Sequence, residues 1–325
     1  MSLIGETDGE AGRNRLIGML CIAAGMAAFS AMDVAIKFLS GDYALHQVVL
    51  IRTVIGMSIL LGVIVPFHGG YAALRTNRLP LHLLRGFFVI IANTAFFVAL
   101  ASMPLAEAVA ITFVSPLLIT AFSVVILGES VGPRRWVAVV VGLIGVLIVL
   151  QPGTAAFQPA ALLPLFAAVA YAMLNILSRK MGGTERATTL TFYVQLTFLV
   201  FSGAMGLAFG DGRFDGTGDA SIDFLMRGWV WPAAKDWPVF VLVGFSSGFG
   251  AVLLSQAYRL CEPAMIAPFE YIAMPLAVLG GVVVFGEWPD ALSWLGIALI
   301  VLGGLYMLWR ETRARDLPRA PRVRR

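Results

Sequence analysis

Residues 126–145 read ILGESVGPRRWVAVVVGLIG, and residues 284–303 read VFGEWPDALSWLGIALIVLG. Gly128, Glu129, Trp136 and Gly145 recur as Gly286, Glu287, Trp294 and Gly303, each displaced by 158 positions. Ala99 and Ala106 recur as Ala257 and Ala264 at the same offset. In a chain that is 59% hydrophobic, matched Val or Leu residues would mean little. Gly, Glu and Trp at fixed spacing are far harder to match by chance. A weaker echo aligns Phe29, Asp33 and Lys37 with Tyr171, Asn175 and Arg179, displaced by 142 positions. The smaller offset requires an insertion in the second copy, and a long loop before its third span supplies it.

Composition places these copies in a membrane. Only 13% of the 325 residues are charged, the mean hydropathy is +0.87, and there are 22 Phe and 7 Trp. A spanning helix needs roughly 20 mostly apolar residues, whereas a soluble domain needs far more polar surface. Ten apolar spans are expected, at 16–39, 46–65, 83–101, 105–127, 136–150, 161–178, 189–209, 238–257, 264–285 and 292–309. Short turns such as Met103-Pro104 and Cys261-Glu262-Pro263 make neighbours antiparallel. The exception is Gly210 to Trp237, a loop carrying Asp211, Asp215, Asp219 and Asp223, with Trp229, Trp231 and Pro232 expected at the interface. The two cysteines, Cys21 and Cys261, read as packing residues, with no metal cluster and no cofactor implied.

Basic residues set the orientation. With the N-terminus inside, 18 Lys and Arg fall on the cytoplasmic side and three (Arg213, Arg227, Lys235) outside. This is the positive-inside pattern, with both termini cytoplasmic. The net charge of +4 therefore reports topology and not nucleic-acid binding. The expected fold is an all-α integral membrane protein of ten transmembrane helices in two inverted five-helix repeats. Its expected parts are a leader (1–15), a first repeat (16–153), a second repeat (154–310) and a basic tail (311–325).

Pro116, Gly128-Glu129 closing span 4, and a Gly-dotted span ending Gln151-Pro152-Gly153 resemble the EamA module. Two such modules in tandem characterise the drug/metabolite transporter superfamily. The resemblance implies a ten-helix carrier with a central cavity, working by alternating access in the bacterial inner membrane. In the second copy Met274 replaces Pro116 and Pro275 follows one residue later, so the helix breaks of the two copies are not expected to superpose. Asp33-Val34, Arg52, His82-Leu83-Leu84-Arg85-Gly86, Arg135-Trp136 and Ala267-Pro268-Phe269-Glu270-Tyr271 recur together in a bacterial group. That group is similar to S-adenosylmethionine and, more loosely, riboflavin uptake transporters. The resemblance leans toward uptake of a cofactor-like solute, and export of amino acids, metallophores or drugs is the alternative.

Charge in hydrocarbon costs several kcal/mol, so the polar residues within spans carry the chemistry. Asp33 and Lys37 share a helical face at i, i+4. Asp33 either pairs with Lys37 or Arg52 or binds substrate or a proton, while Lys37 alone could snorkel to the interface. Arg52 either ties two helices together through Asp33 or holds a carboxylate or phosphate. Glu270, between Pro268 and Pro275, is the sharpest candidate for binding a cationic group or carrying a proton, with helix capping as the plainer reading. Glu107 suits a helix N-terminus.

Tyr171, Asn175, Gln256, Tyr258 and Tyr271 offer hydrogen bonds beside flat rings. Asn93 and Thr94 serve as interhelical glue or ligand contacts. The small face Gly244, Ser246, Ser247, Gly248, Gly250 reads as close packing or a flexible gate. Glu129 and Glu287 read as caps or ion-pair partners at turns.

No nucleophile elbow, Gly-Lys-Thr phosphate loop or His-x-x-x-His pair argues for an enzyme. The expected partners are a small-molecule substrate, the lipid bilayer and a proton or counter-solute, in a monomer or homodimer.

Overall fold

The computed structural model describes residues 8–67, 70–128, 132–154, 159–181, 187–260 and 267–316. Helices α1 (Asp8–Leu39), α2 (Leu45–Ile59), α3 (Leu79–Leu100), α4 (Leu105–Thr112), α5 (Ser115–Leu127) and α6 (Pro133–Leu150) come first. They are followed by α7 (Leu162–Met181), α8 (Ala187–Phe209), α9 (Ala220–Met226), α10 (Trp237–Leu260), α11 (Ala273–Phe285) and α12 (Ala291–Asp316). A π-helical turn, Leu60–Ile64, carries α2 on to Phe67. Among the described residues, seven helical stretches are long and apolar enough to cross a membrane. Three shorter apolar helices accompany them: Trp136–Leu150, Phe269–Phe285 and Ala291–Tyr306. The protein is an all-helical, multi-pass membrane protein.

The span expected at 105–127 is broken. α4 stops at Thr112, Phe113 and Val114 form a turn, and α5 starts at Ser115 with Pro116 in its first turn. Proline has no N–H to give to the preceding turn, so the helix restarts there. The span expected from 264 is broken as well: a 3₁₀ turn, Ala267–Ile272, leads into α11 at Ala273. Ala273 lies 158 positions after Ser115. The breaks therefore coincide, contrary to the expectation drawn from the shifted proline. Both α5 and α11 have 13 residues, and each ends on a glycine in the left-handed region, Gly128 at φ 69° and Gly286 at φ 70°. Only glycine takes that conformation at no steric cost, which explains why both are Gly.

The helix pairings obey the same repeat. α1 packs along α10 and α3 along α7; α2 meets α10 and α3 meets α8; α1 meets α11 and α5 meets α7. α2 also packs on α8, and α6 on α12. Exchanging each helix for its counterpart 142 or 158 positions on returns the same list.

Backbones approach most closely between α6 and α12. A Cβ added at Gly145 would lie 2.8 Å from the Gly296 carbonyl oxygen, and one at Gly296 would lie 2.7 Å from that of Gly145. On α10, Gly244 and Gly248 receive Ile55 and Ile59 of α2, and Gly250 receives Phe29 of α1. The small face of α10 is thus a packing surface.

Three boundaries differ from the sequence reading. α1 starts at Asp8, inside the expected leader, and α12 runs to Asp316, into the expected tail. The loop after Gly210 contains α9, capped by the Asp219 carboxylate accepting from Ile222 N at 2.9 Å. Glu129, Glu262, Pro263, Ala264 and Cys261 lie outside the described residues.

Candidate substrate-binding site

Arg52 is the most deeply set cation on α2. It is 4% exposed, and its guanidinium lies 5.4 Å from the centre of Phe97 on α3 and 5.0 Å from that of Phe198 on α8. Such desolvated cation–π contacts are worth about 2 kcal/mol each. Nη1 donates to the Met32 thioether at 3.8 Å, and Nε has no hydrogen-bond partner among the described residues. Asp33 on α1 is the charge that acts on Arg52, yet no direct salt bridge joins them among the described residues. The Asp33 carboxylate is half-buried and makes no hydrogen bond there either. Against Phe97 and Phe198 lies only a narrow crevice of about 10 Å³, room for barely one water, also lined by His46, Asn93, Thr94 and Ser202. Asn93 Nδ2 donates back to the Val89 carbonyl at 3.1 Å.

A second group lies closer to the opposite face. Tyr171 on α7 lies near enough to Glu270 for its charge to act on the phenol, and its side chain is 45% exposed. Asn175, one turn on, donates Nδ2 to the Tyr171 carbonyl at 2.8 Å. Glu270 and Tyr271 occupy the 3₁₀ turn before α11. The Tyr271 ring packs 4.9 Å from Phe113, which belongs to the equivalent break of the other half. Its hydroxyl has no partner among the described residues. Gln256 is half-buried on α10, whereas the side chain of Tyr258 lies outside the described set. The two helix breaks thus meet, with an acid and two tyrosines close by.

Lys37 corrects one expectation. It does not pair with Asp33. Its Nζ lies 2.6 Å from Glu287 Oε1 and donates to the Met103 carbonyl at 2.6 Å. Two acceptors near the end of α1 outcompete one acid a turn below. The other Glu287 oxygen accepts from Leu105 N at 3.0 Å, capping α4. Glu287 therefore caps and pairs at its turn, as its position suggested. Glu107 accepts from Ser293 Oγ at 2.8 Å, linking α4 to α12.

Arg85, which the orientation count places at the cytoplasmic end of the span 83–101, is buried. Its Nε donates to Ser178 Oγ at 2.8 Å and Nη1 to the Leu190 carbonyl at 3.1 Å, joining α3, α7 and α8. Its place six residues inside α3 was the available signal.

Residues 16–151 match the model of the EamA-like transporter family. A riboflavin transporter of Rhizobium johnstonii is 28% identical over 303 residues, 93% of this chain and 94% of the relative. An S-adenosylmethionine uptake transporter of Rickettsia prowazekii is 26% identical over 305 residues, 94% of this chain and 97% of the relative. One solved crystal structure superposes with a TM-score of 0.64 at 20% identity, covering 91% of this chain and 98% of its own. That likeness concerns the fold alone. Residues 16–151 thus carry an EamA-like transporter module, and the chain is similar over nearly its whole length to solute transporters.

Proposed function

We propose that this protein is a secondary transporter of the bacterial inner membrane, moving a cofactor-sized organic solute inward by alternating access. In this reading ten helices span the bilayer as two inverted five-helix repeats, 16–153 and 154–310, with both termini cytoplasmic. The observation that carries it is the polar interior where the two halves meet: Asp33 and Arg52 on one side, Tyr171, Asn175, Glu270 and Tyr271 on the other. Two relatives covering nearly the whole chain are named for riboflavin and S-adenosylmethionine. Aromatic rings beside charged groups suit the flat heterocycle that those two solutes share. Arg52 is placed to hold an anionic group, and Glu270 a cationic group or a proton.

Uptake of labelled riboflavin and of labelled S-adenosylmethionine, in cells lacking their own carriers, tests the reading. One should accumulate and should raise the melting temperature of the purified protein. Glu270→Gln keeps the shape and removes the charge, so it should fold and lose uptake or its pH dependence. Accumulation of neither solute, with no thermal shift, would remove the assignment.

Orientation is tested separately. Reporter fusions after Ser40 and within residues 210–223 should read as periplasmic, and fusions after Arg186 and at the C-terminus as cytoplasmic. A periplasmic C-terminus would break the inverted arrangement.

A further inference from the structure

We infer that Lys37 and Glu287 form the outer gate of the carrier and that the structure stands with this gate shut; this rests on the alternating-access reading above. The distribution of basic residues places the Lys37 end of α1 outside. There Lys37 bridges three pieces of chain: its own helix, the α3–α4 turn through the Met103 carbonyl, and the end of α11 through Glu287. Glu287 reaches back to Leu105 N, so the α3–α4 turn is held by both members of the pair. The Lys37 and Glu287 side chains are 9% and 26% exposed, so the pair is largely shielded from the water that weakens surface salt bridges. Its members come from α1 and α11, so an outward opening that separates these helices must break it. Toward the other end, Tyr171 is 45% exposed, and Asn175, Gln256 and Glu270 are half-buried.

Lys37 and Glu287 touch no solute in this arrangement. Their role is to set which side the interior faces. A pair present in one orientation and absent in the other contributes its full strength to the equilibrium between them.

The test follows the accessibility of one cysteine. With Cys21→Ser and Cys261→Ser, Asn175→Cys is exposed to a membrane-impermeant thiol reagent in right-side-out and inside-out vesicles. The parent should react mainly from the inner side. Glu287→Gln removes the charge but leaves an acceptor for Leu105 N, and Lys37→Met removes the cation. Each should raise labelling from outside about tenfold and lower labelling from inside. Lys37→Arg keeps the pair and should label like the parent.

Full-length carrier with Lys37→Cys and Glu287→Cys joined by a bifunctional thiol reagent supplies a second measurement that does not depend on the charge variants. It should stop transporting and stay closed from outside. Parent labelling from one side, with both charge variants unchanged or the cross-linked carrier still transporting, would overturn the gate alone. Equal and simultaneous access from both sides in the parent would overturn alternating access and the gate together.

Discussion

Asp33→Asn should leave the protein folded and reduce transport by about tenfold to a hundredfold, the loss expected when ~1.5–3 kcal/mol of a charged hydrogen bond is removed. The spacing of Asp33 and Lys37 suggested a structural ion pair, but Lys37 is taken by Glu287 and Met103. Arg52 is held by two phenyl rings and a thioether, not by a carboxylate. Asp33 therefore acts on Arg52 only at a distance, with no direct salt bridge among the described residues, which leaves its carboxylate for a solute or a proton in the proposed carrier. Melting of the purified variant and uptake in cells separate the two roles. A large loss of stability, of the about 3–5 kcal/mol seen when a buried pair is broken, would instead make Asp33 the structural partner of Arg52.

The second large effect concerns packing. Gly145→Leu should prevent recovery of folded protein, and Gly145→Ala should cost about 1–3 kcal/mol, the range for overpacking a tight interface. A Cβ at this position meets the Gly296 carbonyl oxygen at 2.8 Å and Ile300 N at 3.1 Å. Both are backbone atoms of α12, so no side chain can turn aside to make room. Gly62→Ala is the control, because a Cβ there meets nothing within 4 Å. Equal melting temperatures for Gly145→Ala and Gly62→Ala would show that α6 and α12 can move apart freely.

The fold was largely legible because its determinants are local or periodic. Ten apolar stretches set the helices, and Gly128 and Gly286 marked two turns that prove to share one backbone conformation. Even the paired breaks were signalled by Pro116, although the displaced Pro275 misled about their register. The ion pairs were less legible. Lys37 finds Glu287 across 250 positions, and nothing in the immediate sequence of α1 ranks that acid above Asp33. Arg85 counts with Arg75 and Arg78 as a cytoplasmic-side charge in the sequence, whereas its guanidinium reaches inward to Ser178 and Leu190. Asp33, Arg52 and Glu270 stood out at once, because charge in an apolar span needs a reason. Which of them share a space is a property of the tertiary arrangement.

The segment after Gly210 was read as a plain loop, but it is fastened down. Tyr43 Oη donates to Asp236 at 2.6 Å, Gln47 Nε2 to the Val230 carbonyl at 2.6 Å and Trp229 Nε1 to His46 Nδ1 at 3.0 Å. Arg227 donates to the carbonyls of Ser40 and Gly41, at the end of α1. This strap belongs to the second half alone. Two identical halves, related by a twofold axis, would give a carrier whose two orientations are interchanged by that rotation and equal in energy, with cargo and gradient alone deciding the direction. The strap ends that degeneracy, because its bonds tie down one face and have no counterpart on the other among the described residues. A resting preference for one side can therefore be written into the chain by a single insertion, before any solute arrives.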